Sequence, residues 1–98
     1  MPAVCRGASV DADISHCSTP MRNQLSPDVI VNGTGVSRQG DHNTPHLLPA
    51  AVCPSHTAPI AVGSTTVFAN GKGVGRIGDA ISGCTKVATG SENVFAGP

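Results

Sequence analysis

Asp28-Val29-Ile30-Val31-Asn32-Gly33-Thr34-Gly35-Val36-Ser37-Arg38-Gln39-Gly40-Asp41 is followed, at a constant offset of thirty-eight residues, by Thr66-Val67-Phe68-Ala69-Asn70-Gly71-Lys72-Gly73-Val74-Gly75-Arg76-Ile77-Gly78-Asp79. Asn-Gly, Gly, Val, Arg and Gly-Asp recur in register, and a repeat turns scattered residues into equivalent positions. Each copy reads as a hairpin. Val29-Ile30-Val31 and Val67-Phe68-Ala69 are short strands, and the Asn-Gly pairs are the preferred two-residue turn between right-twisted strands. The return strands carry Val36 and Arg38 in one copy, Val74 and Arg76 in the other. Gly-Asp then turns the chain sharply. A partial copy ends the sequence, since Gly90-Ser91-Glu92-Asn93-Val94-Phe95-Ala96 matches Gly63-Ser64-Thr65-Thr66-Val67-Phe68-Ala69. Three β segments result, and the first copy lacks a hairpin of its own.

Composition agrees with the hairpins. The 98 residues include 12 Gly and 8 Pro, about double the usual share, and the length is that of one small domain, expected over 1–98 with no fused extension. Val (11) and Ile (5) outnumber Leu (3), while Glu occurs once and Lys twice, so the chain is β-forming and poor in helix formers. With 2 Phe and neither Tyr nor Trp, the bulk for a thick core is missing. Domains of this kind recruit disulfides or a structural metal, and 4 Cys with 4 His supply either. The six basic residues cancel the six acidic ones, which excludes a basic footprint for nucleic acid. No apolar run reaches the roughly 18 residues of a membrane span, and the N-terminus lacks the apolar stretch of a signal peptide.

The segments after each turn carry the candidate chemistry. Five residues beyond Asp11, Asp41 and Asp79 stand His16, His46 and Cys84, so one spacing delivers a zinc-ligand residue type three times. A tetrahedral site needs a fourth nitrogen or sulfur donor, and the stretch between Pro49 and Pro59 offers His56, with Cys53 as competitor. The expected set is His16, His46, His56 and Cys84 around one structural zinc ion per monomer. Cys17, beside His16, is a substitute ligand. A bridge between Cys5 and Cys17, or between Cys17 and Cys53, is the alternative use of the remaining thiols, although an odd number left over favours reduced cysteines and a cytoplasmic home. Asp11, Asp41 and Asp79 either orient an imidazole or close the turn, the turn being favoured, and Arg38 and Arg76 pair with them or line the surface. His42 has no counterpart in the other copy and reads as a solvated turn residue.

The two Asn-Gly hairpins, the Arg-x-Gly-Asp ends, the segments leading to His or Cys and the terminal Gly-Ser-x-x-Val-Phe copy together resemble the PAAR-repeat proteins over nearly the whole chain. Of the tetrapeptide that names the family, Gly35-Val36-Ser37-Arg38 and Gly73-Val74-Gly75-Arg76 retain only the Arg. The resemblance implies a small, cone-shaped, pseudo-threefold all-β domain of short hairpins, stapled by zinc at its apex. It implies a non-enzymatic, membrane-piercing tip of a type VI secretion spike or of a contractile phage tail. The implied partner is a trimeric valine-glycine repeat spike protein, one subunit capping three, with effectors attached non-covalently. Such a tip resides in the bacterial cytoplasm before firing and is then delivered with the spike.

Two other classes stand beside this one. A zinc hydrolase is poorly served, since Glu92 is the only Glu and no HExxH helix exists. A small extracellular binding module stapled by disulfides would use all four Cys.

Overall fold

The computed structural model describes residues 1–14, 20–47 and 55–97, with His46, Leu47, Ser55 and His56 described by their backbone alone. Among these residues there is no helix. Six two-residue strands form three antiparallel hairpin sheets, β1 (Ile30–Val31) with β2 (Thr34–Gly35), β3 (His46–Leu47) with β4 (Ser55–His56), and β5 (Phe68–Ala69) with β6 (Lys72–Gly73). Small all-β architecture is therefore observed. Both Asn-Gly pairs make the expected turns, with positive φ at Asn32 (51°), Gly33 (84°), Asn70 (54°) and Gly71 (77°), the mirror-image geometry that matches strand twist.

The return strands do something their local pattern does not foretell. Beyond Gly35 and Gly73 each leaves its hairpin and bridges to the next copy, Arg6 opposite Val36, Arg38 opposite Val74 and Val4 opposite Arg76. Val4-Cys5-Arg6 is thus the equivalent of Val36-Ser37-Arg38 and Val74-Gly75-Arg76. At the centre three backbone hydrogen bonds close a ring: the Cys5 N–H donates to Gly75 (3.0 Å), the Gly75 N–H to Ser37 (2.7 Å) and the Ser37 N–H to Cys5 (3.0 Å). Each segment satisfies its neighbour, so no central backbone group of the ring is left over.

The first copy does have a hairpin, assembled from both ends of the chain. Ala3 bridges to Phe95, and the Ala96 N–H donates to Pro2. The Val4 N–H donates to Val94 at 3.0 Å, as Val36 does to Val29 and Val74 to Val67 at the same distance. The closing partial copy is the outgoing strand and the N-terminus is the return strand.

Two small apolar clusters lie along this arrangement. One gathers Val4, Val36 and Val74 with Val31, Ala69 and Ala96, two sets of equivalent positions. The other gathers Cys5, Ala58, Ile60, Ile81 and Val87, with Cys84 packed against it. The backbones come close where side chains are small. A Cβ at Gly73 would meet the Ser64 carbonyl, and one at Gly35 the Ser26 carbonyl. Because those obstacles are backbone, Gly73→Ala should destabilise by about 1–3 kcal/mol through forced displacement of the neighbouring segment. Chemical denaturation of the variant measures this, and an unchanged midpoint would contradict the close approach.

Candidate functional site

The Asp residues that open each spacing are anchors of the fold. Each carboxylate accepts three hydrogen bonds from a single Arg. Asp11 takes them from the Arg6 backbone N–H (2.7 Å), Nε (2.8 Å) and Nη2 (3.1 Å). Asp41 takes them from Arg38 at 2.8, 2.8 and 3.1 Å, and Asp79 from Arg76 at 2.8, 3.2 and 2.9 Å. The carboxylates are buried, so these are enclosed clamps, where the sequence favoured a plain turn and surface pairing. The carboxylate hydrogen bond is the chief cause holding the Arg6 and Arg38 guanidinia above their ordinary range. The Asp41 and Asp79 N–H groups also donate to the carbonyls of Arg38 and Arg76, which closes the turn.

Sequence reading missed Arg6, although the Val-x-Arg triplet at Val4, Val36 and Val74 carries the signal. Its Asp lies five residues away where the other copies use three. The two extra residues are absorbed by Ala8 and Ser9, both at positive φ. Each clamp has the same companions. Ser26, Ser64 and Ser91 accept with Oγ from the N–H groups two and three residues on, at 3.0–3.2 Å. The three hydroxyls donate to Asn70 Oδ1, Gly97 O and Asn32 Oδ1, and Nη1 of Arg38, Arg76 and Arg6 reaches the same three oxygens. One contact set thus occurs three times in a single chain.

Beyond the clamps run the three ligand-bearing segments. His46 and His56 are directly opposed in the antiparallel pairing of β3 with β4, a register that sets Cβ atoms about 4.5–5.5 Å apart in any such ladder. The backbone register therefore sets two of the four expected ligand residues on one rung. Cys84 follows the turn at Ser82 and Gly83 and is half-buried beside the second apolar cluster. Burial pushes its thiol up, a backbone hydrogen bond at Thr85 lowers it, and the negative charge of Asp13 raises it further. His16, Cys17 and Cys53 lie outside the described residues. Among the described residues no set of three His, Cys, Asp or Glu side chains stands close enough to hold an ion, and that description includes neither His16 nor the side chains of His46 and His56.

One expectation changes. His42 is half-buried and pairs antiparallel with Pro59, its Nδ1 3.1 Å from Thr57 Oγ1, so it belongs to a bridge between segments and is no solvated turn residue. Cys5 is a free, fully buried thiol in the central ring, and Cys17, its partner in the alternative bridge, lies outside the described residues. Desolvation, the largest influence, pushes Cys5 up to about 12 and leaves it protonated and inert.

The most consequential side chains of the region had no sequence signal. Arg22 is fully buried, and its guanidinium donates to Asp13 Oδ2 (2.9 Å), Ser37 Oγ (3.2 Å) and the Asp41 carbonyl (2.6 Å). Asn43 donates to the same Asp13 Oδ2 at 3.0 Å and accepts from the Ala58 N–H at 3.0 Å. Asp13 Oδ1, equally buried, has no hydrogen-bond partner among the described residues. No protein-family model and no curated protein matches the chain, so the reading of this site rests on its own residues and geometry.

Proposed function

We propose that this protein is a metal-stapled structural tip that caps a trimeric β-helical spike, as the resemblance to PAAR-repeat proteins implies, and that it catalyses no reaction. The observation that carries this reading is the repetition of one contact set, Arg clamp, Ser and shared acceptor, three times around a closed ring of backbone hydrogen bonds. A single chain with three equivalent faces suits a threefold partner. The molecule measures 38 × 23 × 22 Å, one long axis over a near-equal cross-section, which is compatible with a tapering tip.

In this reading His16, His46, His56 and Cys84 hold one zinc ion. The fit is one of chemistry and register. Three imidazoles and a thiolate form a closed tetrahedral set that leaves no position for substrate, and the rung of His46 with His56 supplies two of them. Zinc would supply cross-linking among segments whose apolar clusters are built mainly of Val, Ile and Ala.

Three apolar side chains occupy equivalent exposed positions: Ile30 opposite Gly35, Phe68 opposite Gly73 and Phe95 opposite Ala3. Their exposures are 55%, 57% and 49%, and they are the side chains suited to bury against a threefold end. The partner, the cargo effectors and passage from the cytoplasm through a target membrane follow from the resemblance.

The test is zinc analysis of the purified protein combined with co-purification against a trimeric β-helical spike. One zinc per chain and a one-to-three complex are expected, and a metal-free, non-binding protein would refute the reading. Phe68→Asp with Phe95→Asp should weaken capture of the trimer by about 30-fold or more, the scale of losing an aromatic hot spot. Stability should move by no more than about 0.5 kcal/mol, because both residues are exposed. Undiminished capture would exclude that face as the contact.

A further inference from the structure

We propose that Asp13 is the positioning carboxylate of the metal centre: its Oδ1 accepts the ring N–H of a histidine that gives its other nitrogen to the metal. This rests on the metal-stapled reading above and deepens it, since nothing in the repeated spacing assigns Asp13 a role.

Asp13 stands where all three ligand-bearing segments meet. It precedes His16 by three residues on its own segment. Its Oδ2 accepts from Asn43, three residues before His46, and Asn43 in turn accepts from the N–H of Ala58, two residues after His56. On the remaining side Asp13 bridges to Val87, three residues after Cys84, and the Ile14 N–H donates to Lys86. No other carboxylate among the described residues is tied to all three. Asp11, Asp41 and Asp79 differ from Asp13, since each has both oxygens engaged by its own Arg.

The two oxygens of Asp13 differ in kind. Oδ2 is engaged by Arg22 Nη1 and Asn43 Nδ2, which fix the carboxylate plane. Oδ1 is buried and has no partner among the described residues, and buried acceptors are paired almost without exception. A metal-bound imidazole needs the complementary thing. Once one ring nitrogen binds metal, the other carries hydrogen, and a carboxylate that accepts it fixes the tautomer and raises ligand basicity. The fixed carboxylate offers an open acceptor, and the centre requires one.

Asp13→Asn tests this directly. Arg22 and Asn43 both donate to the Oδ2 position, so the amide oxygen is held there and the amide NH2 falls at the Oδ1 position, replacing an acceptor with a donor. In zinc-loaded wild-type protein labelled with 15N in the histidine rings, one ring N–H is expected to exchange slowly with water. In Asp13→Asn that resonance should be lost and zinc affinity should fall by about 10–100-fold, the usual cost of removing such a partner. If Asp13→Asn folds poorly, Asp13→Asn with Arg22→Met removes the stranded charge and carries the same readout.

Unchanged ring resonances and zinc affinity would overturn the assignment while the metal-stapled reading stands. So would a high-resolution structure of the zinc-loaded wild type with an ordered water, and no imidazole, at Oδ1. A wild-type protein that binds no zinc would overturn both.

Discussion

Replacing Arg22 by methionine should lower the stability of the fold by about 3–5 kcal/mol, because it strands a carboxylate where water does not reach. Both side chains of the Arg22–Asp13 pair are 0% exposed. Removing the guanidinium leaves Asp13 with one donor among the described residues, Asn43, and takes away the donor to the Ser37 hydroxyl and one of the two donors to the Asp41 carbonyl, which keeps the Ile60 N–H. Set against the 5–15 kcal/mol that usually holds a domain together, this is a large fraction. Thermal unfolding should report it as a fall of roughly 15–30 °C in a domain of this size. The pair itself is isolated by a double-mutant cycle. Arg22→Met with Asp13→Asn removes both charges, and the amide oxygen still serves Asn43, so the double variant should be more stable than Arg22→Met alone. A residual deficit should remain from the Ser37 hydroxyl and from the lost second bond to the Asp41 carbonyl. Additive losses would mean that the two residues are not energetically coupled.

The parts of the fold that were legible are those written in local chemistry. Asn32-Gly33 and Asn70-Gly71 dictate positive φ at adjacent residues, and their turns need no distant partner. The repeat also located Val36 and Val74 as equivalent core positions. What the repeat could not disclose is where a return strand goes after its own hairpin ends. Val36 and Val74 pair with Arg6 and Arg38, at the same step of the neighbouring copy, because short strands with a Gly at the exit leave half their hydrogen-bonding groups unspent. The third hairpin was hidden for a similar reason. Val94-Phe95-Ala96 was recognisable as an outgoing strand, but its return strand stands at residues 2–4, at the far end of the chain.

The candidate site divides along the same line. The spacing from Asp41 to His46 was visible, and the opposition of His46 with His56 follows from a loop whose ends pair. Asp13 and Arg22 were invisible, because in a sequence with 12% charged residues a lone Asp and a lone Arg read as surface. Only the burial of both, together with the Asn43 bridge, marks them as interior.

Stripping the proposed zinc should be the more severe perturbation. Structural zinc contributes apparent binding free energies of about 10–16 kcal/mol in small zinc domains, and that energy is folding energy when the site does not exist in the unfolded chain. The apolar clusters here consist mainly of Val, Ile and Ala, too little bulk to replace it. Prolonged chelation should therefore lower the unfolding midpoint by roughly 20 °C or more, and zinc, added back alone, should restore it. The damage should be graded along the molecule. The backbone ring of Cys5, Ser37 and Gly75 and the three Arg clamps draw on no ligand residue, so their amides should stay protected from hydrogen exchange after chelation. The amides of His46, His56 and Ile81 to Val87 should lose protection first, since the proposed zinc would join their segments. Acid should act in the same direction as the chelator. Zinc requires neutral imidazoles and a deprotonated Cys84, whose thiol is raised by burial in the metal-free protein, so binding releases protons and weakens as pH falls. Zinc-linked stability should accordingly decline as pH falls from the thiol's range, and more steeply once imidazoles also take up protons, about pH 6.5 and below. A midpoint indifferent to chelator and to mild acid would show that the base alone carries the fold, and that the four donors do not staple the tip.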